Sequence, residues 1–186
     1  MTSADVREAV MKWQQLLVDI YRRLSTGFEE VLDGLTLDDL NRRPAPDANT
    51  IGWLLWHTTR SLDRTVGDVM YGEQLWTKEE WHKKFNRLPD PNDTGYRHSI
   101  EDVAGLDIPD VQTLLDYHHA VMEQSVKYII NLSEDGLDRK FDNSIYPGTM
   151  TAVGVRIMGN INDCYQHVGQ AAYVRGLLKG QGWLGR

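Results

Sequence analysis

Asp163 and His167 stand four residues apart in the stretch Asn162-Asp163-Cys164-Tyr165-Gln166-His167-Val168-Gly169-Gln170. In a helix that spacing sets them one above the other on one face. Val153, Ile157, Cys164, Ala171, Val174 and Leu178 recur at helical spacing on or beside the same face, the one a helix turns to its core. A carboxylate there is costly unless something positive meets it. A bound divalent cation would meet it, with the imidazole as a second ligand. Two protein ligands rarely make a metal site and three commonly do. His57, in Gly52-Trp53-Leu54-Leu55-Trp56-His57-Thr58-Thr59-Arg60, is the third candidate. A plainer reading uses the same residues: Asp163 caps a neighbouring backbone, His167 is a satisfied core histidine, and His57 is a boundary residue packed on Trp53.

One carboxylate and two imidazoles are the donor set of a catalytic centre more than of a structural one. Structural zinc closes its shell with four protein ligands, mostly thiolates, whereas catalytic zinc keeps a position open. Water bound at such a position ionises near neutral pH, and a bound thiol ionises outright. The same donors suit zinc, nickel, iron or manganese.

Other residues of chemical interest have structural readings. His118 and His119 are adjacent, so on a helix they point about 100° apart and cannot share a metal. His118 falls with Leu114, Leu115 and Met122 as a packing residue, while His82 and His98 read as solvated or lid residues. Cys164 reads as a small buried hydrophobe. Gln170, one turn from His167, can orient a ligand. Arg60 and Arg64 read as solvated flanks of His57 that could meet a carboxylate-bearing substrate. Trp53, Trp56, Trp76 and Trp81 suit a pocket mouth or a dimer contact.

Four elements must position these groups. Helical periodicity predicts a first helix from about Ser3, capped by Ser3 or Asp5, to Asp33, stopped by Gly34. A short capped turn, Leu35 to Leu40, and a loop around Pro44 and Pro46 follow. A second helix runs from Ile51, opened by Asn49 or Thr50, to about Tyr71. A third, capped by Asp110, reaches about Leu132, and a fourth runs from Thr149 or Thr151 to Lys179 and ends at Gly180. Residues 73–109 read as irregular, with one short helix over Lys78–Phe85 capped by Thr77. A connection this long is usually a lid, a binding loop or an oligomer contact. Asn131 to Gly148 reads as a loop, and β-alternation is not evident. The architecture expected is all-α, a four-helix bundle with long crossover connections.

The chain has 186 residues, enough for one full core, so residues 1–186 read as a single domain. A formal net charge of −7 argues against nucleic-acid and anionic-membrane partners, which need a basic face. A lone cysteine excludes an internal disulfide and suggests a reducing, cytoplasmic setting. Met1 to Lys12 lacks the apolar core of a signal peptide, and no apolar run is long enough to span a bilayer.

Ile51-Gly52-Trp53-Leu54-Leu55-Trp56-His57, followed by Arg60 and Asp63, resembles the second helix of the DinB-like superfamily of metal-binding four-helix bundles. His167-Val168-Gly169-Gln170 resembles that superfamily's fourth-helix signature. The middle segment, with Trp81, Phe85, Gly95-Tyr96-Arg97-His98-Ser99 and Glu101-Asp102-Val103-Ala104, is similar to an actinobacterial-type branch. The resemblance implies a divalent ion, zinc ahead of nickel, held by His57, Asp163 and His167. At the middle position the family usually has His and in some members an acidic residue; Asp163 is the shortest of these. The branch resembling mycothiol-dependent maleylpyruvate isomerase has a carboxylate there. By resemblance, then, the expected activity is a thiol-dependent S-transferase or isomerase of small electrophilic substrates, in which the metal activates a low-molecular-weight thiol such as mycothiol. The expected partner is a small-molecule substrate, and the expected assembly a homodimer. The alternatives are a metal-dependent hydrolase and a non-catalytic dimeric metal-binding or interaction module.

Overall fold

The structure, a computed structural model, describes residues 11–70 and 72–180. The expected caps Ser3 and Asp5 lie outside the described residues. Four long helices carry the fold: α1 (Trp13–Leu32), α3 (Ile51–Met70), α7 (Val111–Ile130) and α9 (Val153–Lys179). Short helices fill the connections: α2 (Leu37–Asn41), α4 (Leu75–Lys78), α5 (Trp81–Lys84), α6 (Ile100–Ala104) and α8 (Glu134–Asp138).

The long helices pack as a ring in the order α1, α7, α3, α9, with α3 most extensively against α9. Chain-consecutive α1 and α3 are therefore diagonal, as are α7 and α9, which is why both pairs need long crossovers. Leu24, Phe28 and Val31 of α1, Leu54, Leu55 and Leu62 of α3, Leu114, Tyr117 and Val121 of α7, and Val153, Ile157 and Ala171 of α9 meet in the core. The all-α bundle expected from periodicity is the fold observed. Among the described residues no helix is long and apolar enough to cross a membrane.

Several local expectations need correction. α1 begins at Trp13, because Lys12 is extended and the Gln15 side chain accepts its backbone N–H at 2.8 Å. The single helix expected over Lys78–Phe85 is two, α4 and α5, separated by Glu80 in the left-handed region at φ 58°. Residues 131–148 hold α8 and a strand, not only loop. β1 (Lys140–Asp142) and β2 (Met150–Ala152) pair antiparallel, with Phe141 opposite Thr151, so α9 starts at Val153. Strands of three residues are too short to display alternation, and Phe141 is the one residue of β1 turned into the core.

Candidate metal centre

Thr50 starts α3, its hydroxyl accepting the Trp53 N–H at 2.9 Å. α3 is buried almost all round from Ile51 to Arg60, because α7 and α9 cover its flanks and the 73–98 connection wraps the rest. That wrapping is anchored by a charged knot. Asp63 accepts the Leu75 and Trp76 N–H groups, each at 2.8 Å, and the Tyr117 hydroxyl at 2.7 Å. Arg60 donates to Asp63 at 3.1 Å, to Gln74 at 2.9 Å and to the Asp93 carbonyl at 2.9 Å. Arg60 and Asp63 are both wholly buried. The solvated reading of Arg60 is thus wrong: it is a structural residue that ties the connection to α3. Trp56 and Trp76 are likewise fully buried, and Trp53 and Trp81 nearly so, which places all four in the core rather than at a pocket mouth or dimer face.

Above this knot, residues 93–98 close over His57. The Thr94 carbonyl accepts a hydrogen bond from His57 Nδ1. Gly95 lies so close that a Cβ on it would stand 2.8 Å from His57 Nδ1 and 3.0 Å from Trp53 Cζ2. Trp53 stacks on His57 with ring centroids 5.0 Å apart and donates from Nε1 to His98 Nδ1 at 3.2 Å. His98 in turn faces Asp93 at 3.3 Å, so His98 holds the loop rather than lying in solvent. Both readings of His57 are met at once, since it packs on Trp53 and still aims Nε2 at α9.

α9 runs antiparallel to α3 and brings Asp163 and His167 to that nitrogen. His57 Nε2 lies 3.9 Å from Asp163 Oδ2, and His167 Nε2 lies 3.4 Å from Asp163 Oδ1. The two imidazoles meet edge to face with centroids 4.7 Å apart. Ser61, one turn from His57, donates to Asp163 Oδ2 at 3.3 Å, and Asn160 donates to Ser61 at 2.8 Å. The three sequence-selected residues thus converge, with one donor atom from each within 4.8 Å of the others.

The donor set fits a divalent cation. A carbonyl oxygen can only accept, so His57 carries its proton on Nδ1 and offers a lone pair at Nε2. Gln170 Oε1, 2.8 Å from His167 Nδ1, fixes the same tautomer there. Two lone pairs and a carboxylate then face one point. Bonds of 2.0–2.1 Å at tetrahedral angles put neighbouring ligand atoms roughly 3.4 Å apart, close to the spacing seen. Asp163 also remains 44% exposed at its side chain, leaving room for further ligands.

The electrostatics divide the two imidazoles. Burial, and next the neighbouring His167, push the His57 pKa down against the opposing pull of Thr94 and Asp163. Burial also acts against a proton on His167, but its bonds to Asp163 and Gln170 prevail and raise its pKa. Burial acts to raise the Asp163 pKa, yet the His167 bond and the two nearby imidazoles prevail and hold it down.

Of the remaining histidines and the cysteine, His118 is fully buried and stacked on Phe28 at 3.8 Å, with Thr59 and Ser25 on its two nitrogens. His82 is buried, with Nδ1 3.1 Å from the Arg87 carbonyl, so it is not solvated. Cys164 is fully buried, and burial pushes its thiol pKa well up, which suits a small hydrophobe. Sequence reasoning missed the Thr94 carbonyl, Ser61 and Asn160. Ser61 and Asn160 do repeat the helical spacing of His57 and Asp163, but serines and asparagines at that spacing are too common to stand out.

No curated protein matches the sequence. A crystal structure of a conserved protein from Enterococcus faecalis is similar, with a TM-score of 0.81 and 32% identity over 92% of this chain and 100% of that one. The family model of the DinB superfamily matches residues 20–171, and the chain belongs to that superfamily.

Proposed function

We propose that His57, Asp163 and His167 hold one divalent cation, zinc ahead of nickel, and that the protein is a metal-dependent enzyme. The substrates would be small electrophiles, and the reaction a thiol-dependent S-transfer or isomerisation, as in the branch resembling mycothiol-dependent maleylpyruvate isomerase. The observation that carries the metal reading is the pair of Nε2 lone pairs, each fixed by a bond at Nδ1, aimed at a part-exposed carboxylate. The thiol rests on the resemblance alone. A cation at this point supplies Lewis acidity and lowers the pKa of a coordinated thiol or water. The protein's own part is to hold three donors rigid, exclude water from the His57 side, and leave the Asp163 side open to small molecules. A homodimer belongs to the same proposal and is read by sedimentation or size exclusion.

The test is metal content of protein purified without added metal, for the parent, His57→Ala and His167→Ala. One equivalent in the parent and loss in both variants is expected; one equivalent in all three sinks the assignment. Incubation of the zinc-loaded protein with a thiol and a model electrophile should then give conjugation abolished by a chelator.

A further inference from the structure

Among the described residues, α9 differs from the other long helices in having an outer face without charge up to Lys179 at its end. α1 and α7 expose Asp19, Arg22, Arg23, Asp116, Glu123 and Lys127, as solvated helix faces do, and α3 is buried almost all round. On α9, Val155, Gly159, Asn162, Gln166, Tyr173 and Leu177 are exposed. They recur at intervals of three, four or seven, which aligns them in one stripe. Val155, Tyr173 and Leu177 are each more than half exposed. The charged residues of the same span turn away from the stripe: Arg156 to Asp68, Asp163 to His57 and Arg175 to the Val31 carbonyl. Exposed apolar side chains in a charge-depleted strip mark a contact surface.

Two observations name a second copy as the occupant. Copies of a chain with a formal net charge of −7 repel one another, and α9 lets them meet without setting charged side chains face to face. The stripe is also symmetric about its midpoint. Gly159 and Tyr173 stand seven residues either side of Gln166, Asn162 and Gln170 four either side, and Val155 and Leu177 eleven either side. A two-fold contact needs such self-complementarity. In an antiparallel pair of α9 helices crossing at Gln166, Tyr173 of each copy enters the gap at Gly159 of the other, where a Cβ would meet nothing within 4 Å. Val155 then packs on Leu177, and Asn162 lies beside Gln170.

We infer that a second copy of this chain docks antiparallel on the outer face of α9 and adds a wall to the cavity beside His167. This deepens the homodimer proposed above by naming its face, and its link to the metal rests on the metal reading of His57, Asp163 and His167. The cavity, of about 680 Å³, lies between the start of α3 and α9, where Asn49, Leu54, Gln166, Gln170 and Tyr173 line it. Gln166 and Tyr173 belong to the stripe, so the second copy borders the cavity with its Gly159 and Asn162. Gln170 Oε1 holds His167 Nδ1 at 2.8 Å, which leaves the Gln170 N–H2 group to donate to Asn162 of the other copy. Each copy thus steadies one imidazole of the other.

The experiment is sedimentation velocity on metal-free and zinc-loaded protein: the parent, Val155→Glu with Leu177→Glu, and Val155→Lys with Leu177→Glu. Unfolding temperature is measured on each. The parent should be a dimer with or without zinc. In the first double variant like charges meet at both ends of the pair, and dimer dissociation should rise at least about tenfold. In the second, opposite charges meet, and the dimer should be at least about tenfold tighter than in the first. A monomeric parent overturns the inference, as does a first variant that dimerises like the parent. Equal dimerisation of the two variants overturns the antiparallel register. Should the variants not fold, Gln166→Cys decides, because position 166 lies on the two-fold axis and Cys164 is buried. Diamide should oxidise its two thiols to one disulfide joining the copies, well above a Thr26→Cys control on the outer face of α1; no excess over that control overturns the inference. Chelator competition separates the metal reading, since a dimeric parent that binds no zinc removes that reading and leaves the docking face standing. Where zinc binds, the like-charge variant, once monomeric, should lose roughly three- to tenfold in zinc affinity. Parental affinity there overturns the second copy's support of His167.

Discussion

His167 is held from both sides along its own helix: Nδ1 lies 2.8 Å from Gln170 Oε1, and Nε2 lies 3.4 Å from Asp163 Oδ1. Gln170 thereby sets which nitrogen of His167 is free, although it is not itself in the donor cluster. Gln170→Ala should weaken zinc binding on the order of ten- to a hundredfold, as loss of a group orienting a metal ligand commonly does. Gln170→Glu, which keeps an acceptor, should retain it. Competition against a chromophoric chelator reads both. Equal affinities for Ala and parent would show that His167 needs no such support.

Gly95 secures His57 from the loop side. Its φ of +88° is a conformation L side chains rarely adopt, and a methyl group there would strike His57 and Trp53 at 2.8 and 3.0 Å. Gly95→Ala carries a left-handed backbone penalty of roughly 1–2 kcal/mol, and relieving the clash means lifting Thr94 from His57. Lower thermal stability together with weaker zinc binding is expected. A variant with parental zinc affinity would mean that the Thr94 contact does not position the imidazole.

Protons and the cation compete for the same two Nε2 atoms, so the opposed shifts of the histidines predict a two-stage pH profile. His167 has its pKa raised and His57 has its pKa lowered, chiefly by burial. Zinc affinity should be flat above the His167 transition. As pH falls it should drop with a slope of one proton, beginning above the ordinary histidine value of about 6.5. The slope should reach two only at lower pH, where His57 titrates. Zinc affinity measured across pH 5 to 9 checks this; a two-proton slope from the outset would contradict it.

The parts legible in the sequence are those with a long helical period. Ile51–Met70 and Val153–Lys179 repeat over five turns or more, enough to place His57 on one helix and Asp163 with His167 on another. That the two helices are neighbours is not contained in either period; it came from the need for a third metal ligand and from the resemblance. The β1–β2 hairpin stayed hidden because it depends on pairing between two three-residue segments. Arg60 shows the other limit. Its surroundings suggested a solvated flank, but its environment is set by Asp93 and Gln74, residues of a connection whose path periodicity does not describe.

His118 makes a prediction about acid stability. Burial, with a smaller push from His119, lowers its pKa from 6.5 to about 3. The unfolded chain therefore takes up this proton more readily than the fold does. The fold keeps its full stability above pH 6.5 and loses it as pH falls from there towards 3, by about 1.4 kcal/mol per pH unit from this group. Between pH 7.5 and 5 that comes to roughly 2 kcal/mol. His118→Gln, whose amide can still reach Thr59 and Ser25, should show a shallower loss by urea unfolding over the same range. Parallel curves for the two proteins would remove His118 as the acid-sensitive group.

Asp63→Asn tests the knot beneath the metal centre. Asp63 is met by four donors: two backbone N–H groups, the Arg60 guanidinium and the Tyr117 hydroxyl. An asparagine would turn an N–H2 group towards some of these donors and leave the Arg60 charge buried without its counter-ion. Breaking a buried pair from one side costs on the order of 3–5 kcal/mol, whereas replacing both partners by apolar groups costs far less. Asp63→Asn should therefore be destabilising on the order of 3–5 kcal/mol, and Asp63→Leu more so, because it leaves the Leu75 and Trp76 N–H groups and the Tyr117 hydroxyl without an acceptor. Because the knot anchors the connection carrying Thr94 and Gly95, Asp63→Asn should also loosen the His57 contact and weaken zinc binding, which urea unfolding and chelator competition read separately. A loss of stability below about 1 kcal/mol would mean that the connection is held by its aromatic packing, chiefly Trp76 and Phe85 on Tyr117, and not by the charge pair.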